Sequence, residues 1–449
     1  MPGSYVRSLA SLLGFVSVTA YLPLIINDPR WDPTVKTVVV SLVPLCAGLG
    51  YLTPLLIDVA AQGRPQRVGS LYAVNIVGCT LGPLIAGYVL LPLLGVKWAL
   101  ILFAMPFTLL AFLHAGRNSG RLALKVAGRT VAVGIVGMAM LFESYEESAV
   151  AKQLLVRRDH TATVLAFGEG RGKELIVNGF SMTELTPITK VMAHLPLAHL
   201  TTLPTSALVI GLGMGTSFRS AMSWGIETKA VELVPSVKEV FGFFHQDGPQ
   251  LLETGRGQVV IDDGRRFLAR TGEQFDVIVI DPPPPVEAAG SSLLYSEEFY
   301  ALAKKHLREG GILQQWLPGG EERILSAVAG ALARSFIYIR VYQDCGFHFL
   351  ASTRPILPLR AEHLVARMPE AAKHDLLEWN LALTAVEMLG RIVNNEVDIG
   401  SLLHLFGPDS EFTITDDRPF NEYFLLRRTT GSAQAAPSFS SQVPCPLSP

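Results

Sequence analysis

Four carboxylates in the middle of the chain, Glu232, Asp262, Asp263 and Asp281, have the spacing of a nucleoside site. Each closes a short apolar, β-branched run, and the first such run, 207–211, leads into glycines at 211, 213 and 215 about twenty residues before Glu232. A strand that ends in a glycine loop, followed by a second strand ending in an acid, is a nucleoside-binding βαβ unit. Gly211, Gly213 and Gly215 let the backbone turn where a Cβ would collide with a ligand, and the Glu232 carboxylate suits a ribose diol. Asp262-Asp263-Gly264 closes the third strand, where a side-chain carboxylate can accept a hydrogen bond from an adenine amino group while the following backbone passes under the ring. Asp281 closes the fourth strand, where the reactive end of the ligand belongs. A carboxylate there can orient an amine and take its proton, since an ammonium has no lone pair to attack with. A glycine triplet alone is compatible with an ordinary turn, and each acid alone with a helix N-cap. Their succession at neighbouring strand ends is what points to a site.

These residues require a frame that brings strand ends together. The pattern gives strands at 207–211, 228–232, 257–261, 275–281, 311–316 and 337–342, separated by helices near 216–224, 235–244, 297–308 and 321–335. Such alternation means a largely parallel sheet with helices on both faces, which binds ligands at the carboxyl ends of its strands. Before it, 161–183 alternates polar and apolar residues around glycines, as small antiparallel strands do, and 189–200 reads as a helical bridge. Helical segments fill 361–405. The Ser-, Ala- and Pro-rich tail, 429–449, has a disordered composition. The expected domains are 1–143, 150–200 and 201–428.

The first 143 residues are of another kind. Of 449 residues 49% are hydrophobic and only 17% charged, and the apolar excess lies almost entirely in this third. Apolar spans at Leu9–Ile26, 37–61, 68–94 and 99–114 approach or exceed the length that crosses a hydrocarbon core of about 30 Å as a helix. A cleaved signal peptide explains only the first, so a transmembrane α-helical bundle in a lipid bilayer is expected. Asn75, Gly78 and Gly82 suit close helix packing, and Asp58 stands near an interface. A fifth run, 130–142, has 13 residues, a length for a re-entrant or interfacial segment. Arg7, Arg64, Arg67, Arg117, Arg121, Lys125 and Arg129 fall on one side, and Arg30, Lys36 and Lys97 on the other. The positive-inside rule puts the larger set in the cytoplasm; the globular part joins it there if the fifth run does not cross and lies outside if it does, and a nucleoside ligand, being a cytosolic metabolite, favours the cytoplasm. A formal net charge of −2 offers nothing to nucleic acid. Cys46, Cys79, Cys345 and Cys445 and the ten histidines show neither metal-ligand spacing nor a disulfide framework, and His194 and His199 read as packing residues.

From about residue 158 to 342 the chain resembles the spermidine synthase family of aminopropyltransferases, and as a whole it is similar to the membrane-fused bacterial group. The stretches that carry the likeness are NGFSMTE, MAHLPL, VIGLGMG, AVELVPSV, IDDGRRFL, FDVIVIDPPPP, LLYSEEFY and GGILQQWLP, with TDDRPFNEYFLLRR near the end. The resemblance implies a Rossmann-like α/β domain of the S-adenosylmethionine methyltransferase type behind a small antiparallel β-domain, anchored in a bacterial inner membrane and paired as a homodimer. It implies decarboxylated S-adenosylmethionine as co-substrate, no metal, a polyamine or other small amine as acceptor, and methylthioadenosine as product. Glu232 would then hold the ribose, Asp263 and Gly264 the adenine, and Asp281 would be the general base.

The acceptor half departs from that family pattern. Met214 stands where the glycine loop carries an acid, and Pro284 where a second acid follows the base. Ser181 or Met182 replaces a glutamine, and Tyr295 is an aromatic candidate near the acceptor. A diamine needs carboxylates at both ends, because a buried unpaired ammonium costs several kcal/mol. Two alternatives therefore stand beside aminopropyl transfer. One is methyl transfer to an amine from intact S-adenosylmethionine, whose carboxylate the missing loop acid would have repelled. The other is non-catalytic binding of a nucleoside or polyamine linked to transport.

Overall fold

A computed structural model describes residues 2–31, 33–114, 122–281, 290–318, 321–405 and 412–423. The chain divides into two units, one of residues 1–166 and 176–181, the other of 167–175 and 182–449.

The first unit is built on apolar helices. Three helical tracts among the described residues are long and apolar enough to cross a membrane: Leu9–Ile26, Val35–Ala61 and Pro65–His114. The third is not one straight rod. Gly95 has φ 77° and ψ 175° and breaks the helix, separating the third and fourth spans read from the sequence. The next helix is longer than the 13-residue run suggests, covering Leu122–Leu141. Twenty residues at 1.5 Å each give about 30 Å of helix. It runs antiparallel to the segment after Gly95: Arg129 lies over the Phe112 ring, and the Met140 carbonyl accepts from Lys97 Nζ at 2.9 Å. Lys97 is buried and pairs with Glu147 at 2.8 Å, while Arg30 is paired with Asp28 and donates to the Glu143 carbonyl. Arg30, Lys97 and the start of 142–147 thus share one end of the helices.

Strands β1 (Leu155–Arg158), β2 (Thr163–Phe167), β3 (Glu174–Val177) and β4 (Phe180–Glu184) form a four-stranded sheet in that order, β1 antiparallel to β2.

The second unit holds an eight-stranded sheet. Its strands are β5 (Ser206–Ile210), β6 (Glu227–Glu232), β7 (Gly257–Ile261), β8 (Phe275–Ile280), β9 (Leu307–Leu317), β10 (Tyr338–Gln343), β11 (Phe347–Ser352) and β12 (Glu396–Val397). The order is β12-β10-β11-β9-β8-β5-β6-β7. From β9 to β7 the pairs are parallel, as the alternating pattern predicts. The other edge is antiparallel, because β11 returns through a tight turn and inserts between β9 and β10. Sequence reading misses β11. Its signal is Asp344-Cys345-Gly346, where Cys345 has φ 46° and Gly346 φ 121°, a left-handed turn between two apolar runs. Cys345 is also disulfide-bonded, against the expectation that none of the cysteines would be.

Helices cover both faces, so the central strands read as continuous apolar runs. All six residues of β8 are buried, and helix Glu322–Ser335 packs its apolar face, Ile324 to Leu332, into the same core. The helix expected at 235–244 is two short ones, Pro235–Glu239 and Phe241–Phe244, broken at Val240.

Candidate active site

Strand β5 is where the sheet order reverses: the chain goes on to β6 and β7 on one side, then to β8 and β9 on the other. A crevice at such a point is where doubly wound sheets bind ligands. The ladder continues past the strand ends, with Gly211 N–H donating to the Val231 carbonyl, Asp281 N–H to Ile210 and Asp262 N–H to Glu232, at 2.9 to 3.0 Å. The glycine loop and all the acidic strand ends are therefore side by side.

Each glycine has its own reason. Gly211 (φ 89°) passes so close to the Asp281 carbonyl that a Cβ would collide with it, and at Gly215 (φ 84°) a Cβ would enter the Phe241 ring. A Cβ on Gly213 would point into open space, the room a ligand needs beside the loop. Gly264 is needed for packing, since its Cβ would strike the Ile210 side chain. Met214, in the loop, is buried.

Glu232 is buried beneath this loop. Its Oε2 accepts from the backbone N–H of Leu212 (2.9 Å) and Gly213 (3.3 Å), and its Oε1 from Val234 N–H (2.9 Å). Burial nevertheless pushes its carboxyl up from the usual range, against the pull of those donors. Leu233 N–H acts on it as well, so backbone donors take up most of the carboxylate's lone-pair sites, about four in all. The Glu232 carboxylate thus shapes the glycine loop.

Asp263 is the N-cap of helix Gly264–Arg270, its Oδ1 accepting from Arg266 N–H at 2.7 Å. Asp262 pairs with the Arg266 side chain. Arg265, next to Gly264, is held by Asp416 at 2.7 Å, which brings the 412–423 segment to this side of the site.

Asp281 is only partly exposed, and loss of water around its carboxyl, with Glu232 nearby, raises its pKa to about 7 despite the hydrogen bond from Ser217. Ser217 Oγ lies 2.6 Å from Asp281 Oδ2. Ser217 was not foreseen: a serine two residues after a loop glycine looks like any helix start.

Tyr295 is 1% exposed and belongs to the hydrophobic core with Phe299 and Tyr300. Ser181 is exposed on β4, in the portion assigned to the first unit. Pro284 lies outside the described residues. Among the described residues no cluster of three His, Cys, Asp or Glu side chains is arranged to hold a metal ion.

A second polar cluster, also unforeseen, braces the site from behind. Asp375, buried on helix Glu370–Leu377, accepts from Lys190 Nζ (3.1 Å), His194 Nε2 (2.9 Å), Ser220 Oγ (2.6 Å) and Arg219 (2.6 Å). Burial opposes its charge, but the hydrogen bond from His194, with the Lys190 charge and the Ser220 hydroxyl, holds its carboxyl well below the usual range. Lys190, fully buried, also reaches Glu378 at 2.5 Å and lies over the Trp379 ring at 4.1 Å. Trp224 Nε1 donates to His194 Nδ1 at 2.9 Å, so His194 is a packing residue, as its sequence context suggests. A cavity of about 360 Å³ lined by His199, Thr202, Glu309 and Arg354 lies at the amino end of β9, away from these groups.

This loop, these acids and this sheet order define a doubly wound α/β domain with its glycine loop and acidic strand ends side by side at the reversal point. Residues 186–322 match the spermine/spermidine synthase domain model. A polyamine aminopropyltransferase of Thermoplasma volcanium is 30% identical over 202 residues, covering 43% of this chain and 72% of that protein. One from Saccharolobus solfataricus is 31% identical over 154 residues, 32% of this chain and 50% of that protein. One from Corynebacterium efficiens is 26% identical over 398 residues, 80% of this chain and 75% of that protein. That last share is larger than the residues after 143 can supply, so the likeness reaches into the apolar helices. The chain belongs to the spermine/spermidine synthase family, although it spans only about half the length of some of the curated relatives it matches.

Proposed function

We propose that this chain is a membrane-anchored aminopropyltransferase that moves an aminopropyl group from decarboxylated S-adenosylmethionine to an amine acceptor and releases methylthioadenosine. The observation that supports this most is Asp281, a carboxyl poised near pH 7 at the sheet's reversal point beside a glycine loop shaped by Glu232. The residues fit a nucleoside: Gly213 leaves room, Glu232 fixes the loop at the strand end where the ribose would lie, and Asp263 with Gly264 flanks the adenine end. The sulfonium is already activated. The protein has to align sulfur, carbon and nitrogen and accept one proton. Asp281 takes that proton from the acceptor ammonium, the freed lone pair forms the new N–C bond, and the C–S bond breaks with its electrons going to sulfur.

The acceptor carries fewer positive charges than a diamine, or reaches carboxylates other than those of the usual pattern, because buried Met214 offers none in the loop. The same observation favours a second reading, methyl transfer from intact S-adenosylmethionine to an amine. Incubating the purified full chain with either donor and a panel of mono-, di- and triamines, then weighing the products, separates the two. Aminopropylated product supports the first reading, methylated product the second, and no product from either donor overturns both.

The helices of residues 1–141 serve as the membrane anchor, with 150–200 and 201–428 as the small β-domain and the transferase domain. The side of the membrane follows from helix Leu122–Leu141. Its antiparallel run from Arg129 beside Phe112 to Met140 beside Lys97 supports a full crossing. The chain then leaves at the end opposite Arg64 and Arg67. By the positive-inside rule that end is outside, the opposite of the cytoplasmic side that a cytosolic nucleoside ligand favours. Placing the domain in the cytoplasm because its ligand is cytosolic would presuppose the activity in question.

A further inference from the structure

Helix Thr216–Met222 begins directly after Gly215, and its second residue, Ser217, is fully buried. The Ser217 hydroxyl has two acceptors, Asp281 Oδ2 at 2.6 Å and the Thr189 carbonyl at 3.0 Å, and only one proton to give. The Thr189 carbonyl lies inside helix Pro187–His199, where the i→i+4 pattern supplies it with the N–H of residue 193. It keeps a partner when the hydroxyl turns away. An ionised carboxylate accepts hydrogen bonds and donates none, and it is the stronger acceptor of the two.

We propose that Ser217 is a positioning residue for Asp281: it ties Oδ2 back toward the loop helix, leaves Oδ1 to face the acceptor nitrogen, and favours the ionised base. This rests on the reading of Asp281 as general base. Among the described residues Oδ1 has no hydrogen-bond partner, so the proton from the acceptor ammonium goes there. Once Asp281 is neutral its Oδ2 is a weaker acceptor, and the Ser217 hydroxyl turns to Thr189.

The spacing is fixed from behind. Asp375 binds Arg219 and Ser220 from the helix of Ser217, and Lys190 and His194 from the helix of Thr189. Around Asp281, β6 presents the charge of Glu232, β5 the backbone of Gly211, helix Pro187–His199 the Thr189 carbonyl, and the loop helix the Ser217 hydroxyl. Glu232 raises the proton affinity of the base, and Ser217 counters it.

The test uses Ser217→Ala in the full chain, which removes one buried hydroxyl and leaves Thr189 its helical partner. Infrared difference titration follows the Asp281 carboxyl, identified by its absence in Asp281→Asn, beside the pH profile of methylthioadenosine release. Loss of a hydrogen bond to the charged form should raise the Asp281 midpoint by about one pH unit. The acidic limb of kcat/KM should move with it, activity should recover at high pH, and Ser217→Thr, which keeps a hydroxyl, should restore the wild-type midpoint. An unmoved midpoint, or a loss equal at every pH, overturns the role of Ser217. Absence of methylthioadenosine release from the wild-type protein with every amine instead overturns the reading of Asp281 as base, and the positioning role falls with it.

Discussion

Asp281 carries the heaviest load of any single residue. Because its carboxyl titrates near 7, catalysis by the ionised form should rise through neutral pH and level off above it. The same shift affects folding. In the unfolded chain an aspartate gives up its proton near pH 4, in the folded protein near 7, so the folded state binds more protons in between. Stability should fall as pH rises through that window and stay level beyond it. Asp281→Asn removes this loss, so its melting temperature relative to wild type should climb from pH 4 to 7; a constant difference would contradict the raised pKa. Glu232 makes a different prediction. Glu232→Gln places an amide where backbone N–H groups now find a carboxylate, and nucleoside affinity measured by calorimetry should drop about 10- to 100-fold. Unchanged affinity would remove Glu232 from the site. The four acids and three loop glycines were legible because their types and spacing are themselves the signal. Ser217 and Asp375 were not, since nothing in SFR or KHDLL says which distant residue each will touch.

Helices Pro187–His199 and Thr216–Met222 depend on one buried carboxylate for their mutual spacing. Asp375→Ala leaves Lys190 with Glu378 and the residue-375 carbonyl and strips Arg219, Ser220 and His194 of a shared acceptor, a loss of about 3 kcal/mol or more. Since Asp375 is held well below its unfolded pKa, its contribution is present above about pH 4 and lost as pH falls toward the folded value. Denaturant melts of the variant and wild type should therefore differ at pH 7 and converge in acid; equal melts at pH 7 would show that the cluster does not brace these helices. The parallel strands were readable in advance because burial on both faces writes continuous apolar runs. β11 was not, because a six-residue strand after a three-residue turn looks like the tail of β10 until the turn's left-handed backbone is seen. Tyr295 shows the opposite failure: an aromatic in an apolar stretch reads equally as core or cleft, and packing with Phe299 places it in the core.

The whole chain joins apolar helices to a transferase-type sheet. If the helices anchor it, membranes washed with alkali and high salt should retain the full-length protein, and its release would contradict anchoring. Single cysteines placed in a cysteine-free background at Arg67 and at Lys152 should label from opposite sides of the membrane, with the Lys152 position reached by an impermeant reagent from outside. Labelling of both from one side would mean that helix Leu122–Leu141 does not cross. Length misled here. The apolar run alone is too short to span, but the helix continues back through Lys125 to Leu122, and charged residues near a helix end hide such an extension from a hydropathy reading. Decarboxylated S-adenosylmethionine given to the purified full-length protein with the amine panel, and methylthioadenosine followed over time, tests aminopropyl transfer most directly. Release that depends on an amine and falls about 100-fold or more in Asp281→Asn, with nucleoside affinity unchanged, is the expected result. Release at the wild-type rate in that variant, or none from the wild-type protein with any amine, would contradict it.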